Sequence, residues 1–268
     1  MTPDSPEPAN PAGPQRATPI HAVGVFCFTL LFGLILLLVG EALGGGFAHF
    51  ARITSLQIGG LCALLLVIQA AELQPVRVLG LARPDVREVL GGLFLGAGLT
   101  AVISATLARL YALGEAEEHA VAVEQTLVTA WETLGPVMVI GWIVLIAPLV
   151  EELVFRGMIL RSLLGRLSPW LAVLISTAMF AVLHGHLVHG SITAVLGLVC
   201  AMASLWRGHV WIAVAIHAAY NTTALLFDVV LGLDEVLPLW TILPGLAMMG
   251  LGIGLAGLAG PARRGGTA

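Results

Sequence analysis

Eight stretches of apolar sequence, each near the length of a bilayer crossing, dominate this chain: 22–42, 53–72, 88–111, 135–155, 169–187, 190–206, 209–230 and 238–260. A helix needs about 20 apolar residues to cross the hydrocarbon core, and it satisfies its backbone hydrogen bonds within itself. The pattern predicts an all-α fold, a polytopic transmembrane bundle of about eight spanning helices. The sixth run is short and the eighth is rich in glycine. Composition agrees: 58% of the 268 residues are hydrophobic, with only 12 basic and 16 acidic side chains. Average soluble domains are about 25% charged. A soluble enzyme, a secreted disulfide scaffold and a disordered chain are excluded.

The remaining sequence divides simply. Residues 1–20 hold six prolines and no apolar periodicity, which predicts a disordered tail. The first apolar run is too long for the core of a cleaved signal and reads as an uncleaved span. Residues 21–260 form one transmembrane domain, and 261–268 a second short tail. Segment 74–88 alternates apolar and Arg positions and suits the membrane interface. Segment 114–133, with five glutamates, reads as a loop containing an amphipathic piece. Cys27, Cys62 and Cys200 lie far apart inside apolar runs, as packing residues do. Trp206 and Trp211 sit near span ends, where tryptophan anchors at the interface. No basic cluster exists that would bind nucleic acid, and nothing sets an oligomeric state.

Orientation follows from arginine, which supplies every basic residue. With eight spans, Arg16, Arg77, Arg83, Arg87, Arg161, Arg166, Arg207, Arg263 and Arg264 fall on one side. Only Arg52 and Arg109 fall on the other. Basic residues collect on the cytoplasmic face, so both termini are expected there.

Ionisable groups within the hydrocarbon cost at least about 2.5 kcal/mol each and mark functional sites by default. Glu151 and Glu152 lie near the expected end of span 4, in IAPLVEELVFRG. His184 lies in span 5, in FAVLHGH. His217 and Asn221 lie in span 7, in IHAAYN. Glu152 and Arg156 are four residues apart and can pair on one helix face, while Glu151 is rotated about 100° away. His217 and Asn221 share a face by the same spacing. A carboxylate and an imidazole flanking a water make it a nucleophile, and a second imidazole with an amide can stabilise an oxyanion. Alternatively Glu151, His184 and His217 could hold zinc with an open position for water. No HExxH is present, and the residues leave both routes open.

EELVFR fits the pattern EExxxR, FAVLH fits FxxxH, and HAAYN fits HxxxN. In order and spacing the three resemble the CPBP intramembrane proteases, the type II CAAX endopeptidase and bacteriocin-processing family, formerly called Abi. The resemblance covers about residues 135–230. It implies an intramembrane endopeptidase that hydrolyses a membrane-associated protein or peptide at a polar cavity reached from the cytoplasm. Glu151 would activate water with His184 assisting, His217 and Asn221 would bind the oxyanion, and Glu152 with Arg156 would organise the motif. The family carries a metalloprotease label, but a metal-free glutamate mechanism is also argued for its eukaryotic-type members, and the resemblance is read here as implying the metal-free route. The partners implied are the substrate and the lipid bilayer. The location implied is the inner (plasma) membrane of a bacterium, in keeping with the Arg-only, Ala- and Gly-rich composition.

Two other classes compete with this reading. Relatives are linked to bacteriocin self-immunity, so a catalytically silent membrane scaffold is one alternative. A proton-coupled transporter using Glu151 and His184 as a relay is the other, and the absence of an internal repeat speaks against it.

Overall fold

The computed structural model describes residues 16–106, 116–185, 187–227 and 237–260, with the side chains of 116–124 and 188 excepted. Most of the expected N-terminal tail, the tail 261–268, and Arg109, His186 and Asp228 lie outside the described residues. The described chain is all-helical. In order run α1 (Pro19–Leu43), α2 (Gly45–Ala70), the short α3 (Pro75–Val78), α4 (Val86–Thr106) and α5 (Ala116–Leu134). The long α6 (Pro136–Leu164), α7 (Pro169–Val182), α8 (Leu187–Arg207), α9 (Trp211–Leu225) and α10 (Leu239–Leu255) follow.

Among the described residues, α1, α2, α4, α6 and most of α8 are long and apolar enough to cross a membrane. That makes the chain a multi-pass membrane protein. The fifth and eighth expected spans form shorter apolar helices, α7 and α10. On α1, Leu30, Leu31, Leu34, Ile35 and Leu38 all face outward, an apolar surface that lipid solvates.

Three sequence expectations change. The Glu151–Glu152 pair does not sit at a helix end, because α6 continues to Leu164. Hydropathy stops at the charges, but Arg156 is wholly buried against internal partners, so the helix passes through them. Span 5 ends early, at Val182, because Gly185 takes φ +71 and turns the chain. Segment 116–134 is a continuous helix rather than a loop with an amphipathic piece. It packs on α2 and buries Ala130 completely.

Two apolar cores flank α6. One is built by α1, α2, α6 and α7, through residues such as Val25, Leu64, Val154, Met158 and Val173. The other joins α4, α8, α9 and α10, through Leu95, Leu196, Ile212 and Ile216. Lipid tails are as apolar as leucine, so helices in a bilayer associate through close packing more than through burial from water. Here α4 does so with glycine. A Cβ on Gly92 would lie 2.9 Å from Ala215 Cβ, and one on Gly98 only 2.5 Å from Gly245 O. A Cβ on Gly96 would overlap the Ile216 carbonyl.

Both ends of the bundle are tied. At one end Glu88, buried at the start of α4, accepts from Arg207 Nε at 2.8 Å and meets His209 Nε2 at 2.9 Å. There too Arg161 Nη2 donates to Gly208 O, Val210 N to Gly80 O, and Trp206 Nε1 to Gly260 O. Trp206, expected as an interfacial anchor, thus also fastens the last turn of the described chain. The 2–3 and 6–7 connections, the end of α6 and residue 260 meet at this end. The positive-inside count groups the same segments. At the other end, Arg52 makes a two-pronged ion pair with Glu41 across the Gly44–Gly45 turn.

The glycine seam generates a stability prediction. Gly96→Ala should destabilise the fold by about 1–3 kcal/mol, the usual cost of overpacking. Gly250→Ala, where an added Cβ meets nothing within 4 Å, should leave stability level or slightly improved. Thermal unfolding in detergent of the two variants beside the parent protein checks this.

Candidate active site

Proline shapes the helix that carries the site. Pro148 has no amide hydrogen, so it cannot close the usual helical bond to Val144 O. Over Trp142–Ile146 the helix widens to a π form, and Ala147 N donates to Trp142 O. The Ile143 carbonyl then receives neither Ala147 nor Pro148. Asn221 Nδ2, reaching across from α9, supplies the missing bond at 2.9 Å. A second π stretch, Leu153–Ile159, follows the glutamates. There Phe155 O accepts from Leu160 N and also from Ser176 Oγ of α7, at 3.0 Å. Such widened turns free carbonyls for contacts between helices and occur often at functional sites.

Between the two π stretches lie the glutamates. Glu152 has no solvent exposure, and its Oε1 accepts from Arg156 Nη1 at 3.1 Å and pairs with His217 Nδ1 at 2.9 Å. Arg156, also without exposure, donates from Nη2 to Gly197 O at 2.9 Å. Its guanidinium lies 4.4 Å from the centre of the Phe180 ring, a cation–π contact. Gly197 is required at that point, because a Cβ would stand 2.9 Å from both Arg156 Nη2 and Phe180 Cδ1.

Glu151 turns the other way, as its position on the helix predicts. Its Oε1 accepts from Gln57 Nε2 of α2 at 2.7 Å, while Oε2 faces His217 Nε2 at 3.9 Å. The His217 imidazole therefore stands between two carboxylates, one at each ring nitrogen. Since an ionised carboxylate can only accept, Nδ1 carries a proton toward Glu152. Nε2 is left to work on the Glu151 side.

His184 lies just past α7, with Nδ1 at 2.9 Å from Phe180 O. Its ring meets the Phe180 ring edge-on at 4.7 Å. Phe180 in turn meets His217 at 5.9 Å. One aromatic ring thus links His184, His217 and Arg156. Of the sequence-predicted residues, Glu151, Glu152, Arg156 and His217 gather by direct polar contact. Asn221 is held one helical turn beyond His217, and His184 joins through Phe180.

Glu151, His184 and His217 are also the candidate zinc ligands. Among the described residues no three His, Cys, Asp or Glu side chains converge as a metal ion needs. No step is routed through a metal.

Gln57 escaped sequence reasoning. It is an amide within the second apolar run, and a polar side chain at that depth is itself a signal. It belongs to none of the three motifs, which is why motif spacing passes it by.

Residues 133–223 match a family model described as Type II CAAX prenyl endopeptidase Rce1-like. The matched residues run from the end of α5 to α9 and include all three motifs, EELVFR, FAVLH and HAAYN. No curated protein and no solved structure matches the chain.

The buried pair generates the second prediction. Removing one member of a buried ion pair costs about 3–5 kcal/mol, because the other is left uncompensated. Arg156→Met should destabilise the protein by that order, and Glu152→Met combined with Arg156→Met by less than Arg156→Met alone. Unfolding curves of the three proteins in detergent check it.

Proposed function

We propose that this chain is an intramembrane endopeptidase. It would hydrolyse a peptide bond in a membrane-associated protein or peptide, with Glu151 as general base. The observation that carries this reading is the His217 ring set between Glu151 and Glu152, inside the segment that matches a protease family model. A water held by Glu151 Oε2 gives its proton to that carboxylate as its oxygen attacks the substrate carbonyl carbon. Negative charge then develops on the carbonyl oxygen. His217 offers Nε2–H to that oxygen, with Nδ1 held on Glu152 Oε1 keeping the ring in place. The second Nδ2 hydrogen of Asn221 is the other donor, its first being used on Ile143 O. When the tetrahedral intermediate collapses, the C–N bond breaks and Glu151 returns its proton to the leaving amine. His184 assists at the rim, positioned by Phe180. Glu152 and Arg156 do not meet the substrate; they fix His217 and neutralise one another.

Eight spans, both termini in the cytoplasm and residence in the plasma membrane complete the proposal. Nine arginines against two support the orientation, as does the clustering of the 2–3 and 6–7 connections with residue 260 at one end of the bundle.

A quenched fluorescent peptide library, incubated with the purified protein in detergent, tests the reading. Glu151→Gln should lower kcat/KM by about 10²- to 10⁴-fold, the usual worth of a general base. His217→Ala should lose about 10²- to 10³-fold, the worth of an oxyanion donor, and His184→Ala should fall as well. Turnover should persist with a zinc chelator; loss under chelator with restoration by zinc would replace the glutamate mechanism with a metal one. A folded parent protein that cleaves nothing in the library would favour a silent scaffold.

A further inference from the structure

Gln57 lies in α2, far in sequence from the family-matched residues 133–223, yet it makes the shortest polar contact to Glu151 among those described, 2.7 Å from Nε2 to Oε1. An amide donating to a carboxylate is a charge-assisted bond, stronger and more directional than a neutral one. The helices are built to deliver it. One turn along α2, Gly60 has no side chain, and an added Cβ would meet Val154 Cγ2 at 3.2 Å and Val150 Cγ1 at 3.7 Å. The backbone of α2 is thus drawn against α6 beside the glutamates, and Gln57 spans the remaining gap.

The geometry of Glu151 shows what this bond does. A free carboxylate on a helix can rotate about its side-chain torsions and present either oxygen. With Oε1 held by Gln57, Oε2 is the oxygen that faces His217 Nε2. An amide also has no charge to neutralise the carboxylate, unlike the Arg156 guanidinium beside Glu152. Gln57 can therefore orient Glu151 without competing as a counter-ion. The two glutamates are separated in role by their partners: an arginine on one, an amide on the other.

We infer that Gln57 is a positioning residue for the hydrolytic reaction, clamping Oε1 of Glu151 so that Oε2 is presented to the water and to His217. This inference rests on the peptidase reading above. It extends the working site beyond the family-matched segment to the second helix of the chain. It also gives the α1–α2 hairpin a part in the chemistry, where the sequence shows only apolar spans.

The test uses the full-length protein in detergent and a peptide from the library that the parent protein cleaves. Gln57→Leu keeps the bulk and removes the donor, and Gln57→Glu keeps the shape and replaces the donor with an acceptor. Both should lower kcat by about tenfold or more, with KM within about twofold and the melting temperature near that of the parent. Using two replacements guards against one of them failing to fold. Parent-like kcat in either folded variant, with Glu151→Gln inactive, overturns the role of Gln57 and leaves the peptidase reading standing. So does a fall in kcat matched by a loss of melting temperature in both variants, which marks a merely structural hydrogen bond. Turnover that survives Glu151→Gln, or no cleavage of any peptide by the folded parent, overturns the peptidase reading and the inference together.

Discussion

A charge that cannot reach water governs the centre of this molecule. Glu152 and Arg156 are both wholly enclosed among apolar helices, where each alone would be very costly. Their bond to one another is not enough, because a guanidinium offers five donors and a carboxylate several acceptor sites. Part of the surplus is met by Gly197 O from α8, the face of Phe180 from α7 and Nδ1 of His217 from α9, while Glu152 Oε2 and Arg156 Nε have no hydrogen-bond partner among the described residues. Satisfying the pair thus draws three other helices onto α6. The same contacts that make the charges tolerable also assemble the candidate site.

The helix that bears the pair is itself adapted to this task. Pro148 removes a backbone bond just before the glutamates, and the resulting π turn leaves Ile143 O for Asn221. The π turn after them leaves Phe155 O shared between Leu160 N and Ser176 Oγ. Each irregularity becomes a tether to a neighbouring helix. Elsewhere the bundle relies on close approach. The glycines of α4 bring its backbone against α9 at Ala215 and Ile216, immediately before His217. An imprecise seam there would shift the imidazole that stands between the two carboxylates. Packing far from the chemistry therefore sets the geometry of the chemistry.

Much of this was legible in the sequence, for identifiable reasons. Each apolar run corresponds to a helix because a chain in lipid has few ways to satisfy its backbone. The i,i+4 spacing of Glu152 with Arg156 predicted their pairing. Other features were hidden by the same logic. Hydropathy broke α6 at its charges because a one-dimensional scale cannot see that Arg156 meets Glu152, Gly197 O and Phe180. It extended span 5 through Leu183 and His184 because one glycine with positive φ weighs little in an average. Segment 116–134 looked like a loop because its glutamates outweigh the apolar face that α2 covers.

From its sequence alone, the chain is a multi-pass helical membrane protein whose polar residues fall in three spaced motifs, because both properties are local: apolar length sets a span, and helical spacing sets a face. Tertiary structure decided which groups actually meet. It set His217 between two glutamates, placed Phe180 between His184 and His217, spent one hydrogen of Asn221 on a carbonyl freed by Pro148, and brought Gln57 to Glu151 across 94 residues of chain. Those pairings depend on how close the helices approach and how each is rotated. Close approach is set by glycines and buried charges acting together across the whole bundle, and no short stretch of sequence contains it.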